Sequence, residues 1–152
     1  MIGRPTTEQI LLDCCRVLVD DVLPAVSDET TRVRLAMLDK VLRNAAVRAG
    51  HEIAWMRGEV AAVEAFARAV ETATGDEGLP ILLDELAEGP QESLHLDDVV
   101  EIYRRAGDLL SVSLEAAIGS GQQELLREGE SLLAARLAHE NDIVGGWDSA
   151  GR

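Results

Sequence analysis

Residues 35–70 read LAMLDKVLRNAAVRAGHEIAWMRGEVAAVEAFARAV, and one apolar seam runs through them without a change of phase. Its members are Leu35, Leu38, Leu42, Ala45, Ala49, Ile53, Met56, Val60, Val63, Ala67 and Val70, each three or four residues from the next. An α-helix takes about 3.6 residues per turn, so this spacing lays them all along one stripe. Gly50 and Gly58 sit inside the series, and each costs a helix about 1 kcal/mol relative to alanine. Because the seam keeps its phase on both sides of each glycine, the spacing predicts a single helix over residues 29–73. A pair of helices hinged near Gly58 is the alternative.

The middle of this stretch, His51-Glu52 followed by Trp55, has the outline of a zinc-protease helix. That motif needs a second histidine four residues after the first, so that both imidazoles project from one face. Trp55 holds the position instead, and an indole has one N–H and no lone pair for a metal. Arg48, Glu52, Trp55 and Glu59 form a second stripe beside the seam, with His51 next to it. One reading is an amphipathic shoulder held by i,i+4 ion pairing, with the Trp lying over the core edge. The other is a recognition surface, since Trp and Arg are common interface anchors. On the second reading the interface candidates are Arg4, Arg48, His51, Glu52, Trp55 and Glu59.

Outward from the seam, Thr6-x-x-Gln9 is a capping box that opens a helix over about residues 7–23, stopped or bent by Pro24. Its apolar positions are Ile10, Leu11, Cys14, Val17, Leu18 and Val22, which places Cys14 in the core as a small hydrophobe. After Thr74-Gly75-Asp76-Glu77-Gly78, which is turn chemistry, Leu79-Pro80 starts a short helix through Ala87. Two more helices are expected at 97–118 and 122–139. The fold class is therefore all-α: an antiparallel bundle of about four main helices with one unusually long helix and a short connecting one. Residues 1–140 read as one domain and 141–152 as a flexible tail in which Ile143, Val144 and Trp147 could still dock.

Composition excludes several function classes. The 14 Lys and Arg stand against 28 Asp and Glu, a net charge of -14, which repels phosphate backbones and anionic membrane surfaces alike. The charge is uneven: residues 28–74 hold seven acids and seven bases, while 75–152 hold 17 acids and five bases. No apolar run is long enough to cross a bilayer, and the opening lacks a secretory pattern, so a cytoplasmic location is expected. For metals, a helical bundle uses paired Glu-x-x-His turns, and the chain has one, Glu92-x-x-His95, with three histidines in all. No metal, cofactor or catalytic set is therefore expected: no Ser or Cys has His and carboxylate partners at a recognisable spacing, and Asp20-Asp21 reads as a solvated helix end.

The opening RPTTEQILLDCCRVLVDDVLPAV, with Arg4-Pro5, a helix, an acidic pair and Val22-Leu23-Pro24-Ala25, resembles a family of small bacterial helical proteins of unassigned function. The likeness continues through LAMLDKVLRNAAVRAGHEIAWMRGE. Members of that family accompany kinases of the aminoglycoside-phosphotransferase type and acyl-CoA dehydrogenases. The resemblance implies a non-catalytic accessory subunit for a phosphotransferase-like kinase acting on hydroxyacyl-CoA substrates. Two functions follow as expectations: an interaction protein that binds such a kinase or its own copy, or a helical-bundle enzyme or ligand-binding protein with a pocket lined by His51, Glu52, Tyr103 and Arg104.

Overall fold

The chain folds as predicted in class: in the computed structural model, which describes residues 4–145, the described residues are mostly helical and include no strand. The elements are α1 (Thr7–Val17), a π-helical segment (Leu18–Val22), α2 (Leu23–Ala25), α3 (Glu29–Thr74), α4 (Leu79–Ala87), α5 (Leu96–Ser120) and α6 (Gln123–Val144). The long seam does form one helix, α3, continuous through Gly50 and Gly58.

Local chemistry sets the helix ends. The capping box is complete: the Thr6 hydroxyl accepts from the Gln9 backbone N–H at 3.2 Å, and the Thr6 N–H donates to the Gln9 side chain at 2.9 Å. At the start of α3 the Asp28 carboxylate accepts from the Thr31 N–H at 2.8 Å and its hydroxyl at 2.6 Å. These bonds favour the ionised acid and hold its pKa below the usual value. Gly75 closes α3 at a φ of 69°, a left-handed conformation that glycine adopts without a Cβ penalty. Asp76 then accepts from the N–H groups of Gly78 and Leu79 and turns the chain into α4.

The end of the first helix differs from expectation. It neither stops nor simply bends at Pro24, because the ladder widens first: the Leu23 N–H reaches the Leu18 carbonyl, five residues back. Proline has no N–H for the carbonyl of Asp20, and the wider π turn directly precedes that missing donor.

The chain divides into two compact units, residues 1–52 with 140–152, and residues 53–139. In the first, α1 and the first part of α3 form an antiparallel hairpin whose register is marked by two contacts. The Cys15 thiol lies 3.7 Å from the Asp39 carbonyl, and Glu8 packs over Gly50. Among the described residues of this unit only Cys15 and Ala46 are buried. Cys14, expected in the core, is exposed. The apolar arc of α1 is wide enough to include both cysteines, and α3 covers its Cys15 edge and leaves open the edge carrying Ile10, Cys14 and Val17.

The second unit holds the main core. Phe66, Ala67 and Val70 of α3, Leu79, Leu83 and Leu86 of α4, Ile102, Ala106, Leu109 and Leu110 of α5 and Leu125 of α6 are buried together. Each fully buried Leu or Phe contributes about 1.5–3 kcal/mol from area removed from water. α6 runs antiparallel to both long neighbours: Gln122 reaches the Ala73 carbonyl, Gly129 lies against Phe66 and Leu114, and His139 lies against Glu59. Arg57 of α3 ties down the α4–α5 connection by donating to the carbonyls of Gln91 and Ser93. The expected docking of Trp147 falls outside the described residues. Helix α6 itself continues through Val144, five residues past its predicted end.

Candidate functional site

In the second unit, four polar side chains from three helices meet at one end of an apolar cavity. Glu59, on α3, is the centre. Its position is in phase with the buried Val63, Phe66 and Val70, so the helix drives its carboxylate inward, and its side chain is 15% exposed. The Tyr103 hydroxyl of α5 donates to Oε2 at 2.6 Å, and His139 Nδ1 of α6 lies 2.7 Å from Oε1. Arg136 Nε approaches Oε2 at 3.8 Å, and its guanidinium lies over the Tyr103 ring, 5.0 Å from the centroid. Trp55 stacks on His139 from the other side, with ring centroids 4.8 Å apart and planes 13° apart. A half-buried carboxylate is costly unless paired, and here the donors converge on it.

The cavity beyond this cluster has a volume of about 130 Å³. Its walls are Gly58, Ala62 and Val63 of α3, Ala106, Gly107 and Leu110 of α5, and Leu132 and Ala135 of α6. Methyl groups and bare backbone make most of that surface.

The sequence-derived candidates fall in different places. Arg48 and Glu52 form an i,i+4 ion pair at 3.1 Å in the first unit, the pairing expected of an amphipathic shoulder. His51 is exposed there, and Arg4 is exposed at a shallow groove with Pro5, Gln9, Leu12, Asp13 and Arg16. Trp55 and Glu59 belong to the cluster just described. Of the pocket residues expected from sequence, Tyr103 lines the cavity, whereas Arg104 points to solvent and pairs with Glu101 and Asp108 at 3.0 Å each. Arg136 and His139 were not foreseen, although a signal existed: Leu125, Gly129, Leu132, Arg136 and His139 recur at spacings of four, three, four and three. Two polar residues in the phase of a core stripe require buried partners.

Several nucleophile-bearing side chains are engaged elsewhere. Ser113 is buried and donates to the Leu109 carbonyl at 2.7 Å, and Ser93 donates to Asp98 at 2.6 Å. Burial pushes the Cys15 thiol pKa up, and the neighbouring Asp39 adds to the effect. Among the described residues no group of three His, Cys, Asp or Glu side chains is placed to hold a metal ion, and no helix is long and apolar enough to cross a membrane.

A second feature lies in the first unit: an open apolar groove lined by Ile10, Cys14, Val17, Leu18 and Val22 on one arm of the hairpin and Leu38 and Leu42 on the other. Val17 is 53% exposed and Leu38 47%. The seam positions of α3 are thus buried from Val60 onward, while Leu38 and Leu42 line the open groove. No family model, no curated protein and no solved structure matches the chain.

Proposed function

We propose that this protein is a non-catalytic interaction protein that works through the apolar face of its N-terminal hairpin, and that the occupant of that face is a second copy of the chain. The observation carrying this reading is the near absence of a core in the first unit, where Cys15 and Ala46 alone are buried among the described residues while large aliphatic side chains face outward on both arms. Contiguous exposed apolar surface of this kind marks an association site.

Charge argues for a copy of itself. Residues 7–25 carry four acids and one base, and residues 29–48 carry two acids and five bases. A two-fold axis parallel to the hairpin lays the acidic arm of one copy against the basic arm of the other, closing a four-helix bundle with complementary charge at its rim. Sedimentation of the purified protein is expected to show a dimer, and Val17→Glu with Leu38→Glu to give a monomer that keeps its helical circular dichroism. A wild-type protein that stays monomeric at concentrations well above micromolar overturns this assignment.

One observation favours a second reading, in which a phosphotransferase-type kinase acting on hydroxyacyl-CoA takes this face. The segment that resembles the kinase-associated family is the same one that supplies Ile10, Cys14, Val17, Leu18 and Val22. That reading expects co-expressed kinase to capture the wild type and to lose the Val17→Glu variant.

A further inference from the structure

Gly58 and Gly107 face the cavity of the second unit from two different helices, and a Cβ built on either meets no atom within 4 Å. Glycine inside a helix is unfavourable relative to alanine. Here alanine would fit at both positions without touching anything, so packing within the chain does not explain the missing methyl groups. The space they leave open adjoins the Glu59, Tyr103, Arg136 and His139 cluster. A volume near 130 Å³ is close to that of a dry engineered cavity, about 150 Å³, known to take up benzene. It fits one six-membered ring.

The polar end sets the chemistry of the occupant. Glu59 accepts from Tyr103 and is bonded to His139, and an ionised carboxylate has about four acceptor sites, so capacity remains. Arg136 Nε stands 3.8 Å from Glu59, beyond hydrogen-bonding range, and its guanidinium retains donors. Their opposite charges offset one another across the cavity mouth. An acceptor and a donor side by side, with no net charge between them, match a group that both donates and accepts. We infer that this cavity binds a small uncharged ring compound or branched aliphatic molecule bearing one hydroxyl, its hydrocarbon part against Val63, Leu110 and Leu132 and its hydroxyl between Glu59 and Arg136. Every residue that lines the site belongs to the second unit, so its test reads a different unit from the hairpin that carries the proposed association.

Phenol and cyclohexanol are the probes, with toluene, benzoate and benzylamine as matched compounds lacking the hydroxyl or carrying charge. Titration followed by amide NMR is expected to show saturable shifts at Gly58, Gly107 and Leu132 with phenol. Toluene is expected to bind about tenfold more weakly, the effect of one hydrogen bond to a charged group. Glu59→Gln is expected to remove that difference. Gly107→Leu, which fills the cavity, is expected to abolish the shifts while the melting temperature holds, and Gly58→Ala to weaken binding. Tighter binding of benzoate or benzylamine overturns the ligand class. Toluene binding as well as phenol removes the role of the polar end. Absence of saturable shifts, or undiminished binding by both glycine variants, removes the site.

Discussion

Trp55 lies flat against His139, and His139 in turn holds Glu59 through Nδ1 at 2.7 Å. The indole therefore closes a chain of contacts that runs from the edge of the second unit to the carboxylate at the end of its cavity. Offset or stacked aromatic pairs add about 0.5–1.5 kcal/mol beyond the area they bury.

Trp55→Ala is accordingly expected to lower the stability of the protein by about 1–3 kcal/mol, less than a fully buried Trp because the side chain is only half covered. Chemical denaturation of wild type and variant measures it. An interface anchor behaves oppositely, with unchanged denaturation and impaired association, so the pair of measurements separates the two roles that the sequence left open for this residue.

How much of this was legible in the sequence depends on what periodicity encodes. The 29–73 helix was, because a seam in constant phase outweighs two glycines, and the capping box and Leu79-Pro80 start were, because they are local. What periodicity does not encode is which edge of a broad apolar arc a neighbour covers. Cys14 and Cys15 differ by one residue and about 100° around α1, and nothing within the helix says which of them α3 will meet. For the same reason Leu38 and Val63 read as equals along the seam, although one is half exposed and the other buried. Phe66, the largest fully buried side chain, stands one position off the seam as written. The Glu59 cluster needed tertiary structure, since its members come from residues 59, 103, 136 and 139 on three helices.

The two adjacent cysteines offer a chemical check on the hairpin. Cys14 is exposed, whereas Cys15 is buried and its pKa is raised by burial and by Asp39, which lowers the thiolate fraction that reacts. Brief treatment of the monomeric Val17→Glu, Leu38→Glu variant with iodoacetamide, followed by peptide mass spectrometry, is expected to modify Cys14 in the folded protein and Cys15 only after denaturant is added. Equal modification of both would mean that α3 does not cover this edge of α1.

Among the described residues Glu101 carries a strong carboxylate shift with a simple cause. The guanidinium groups of Arg104 and Arg105 hold its pKa down from 4.5 to about 2. A carboxylate depressed in the folded state adds stability above its unfolded pKa and loses it as pH falls through the folded one. The contribution should be present above pH 4.5 and disappear toward pH 2, and it should be small because the group is solvent-screened. Carboxyl NMR titration is expected to find Glu101 ionised well below the other glutamates. Arg104→Gln, which removes the nearer cause, should move it back toward the ordinary value.

One substitution, glycine to alanine, is expected to have opposite signs at two positions of the second unit. At Gly129 of α6 a Cβ would stand 2.6 Å from Leu114 Cδ2 and 3.3 Å from Phe66 Cζ. Helix α6 approaches α3 and α5 there because the side chain is absent, and Phe66 is fully buried. Overpacking of such a core costs about 1–3 kcal/mol, more than the ~1 kcal/mol that alanine gains over glycine in a helix. At Gly58 the same methyl enters open space, so the helix gain stands alone and Gly58→Ala is expected to stabilise by up to about 1 kcal/mol. Thermal melts of the two variants decide it. If both destabilise, the cavity wall at Gly58 is already filled in solution; if neither does, the helices at Gly129 are not in contact.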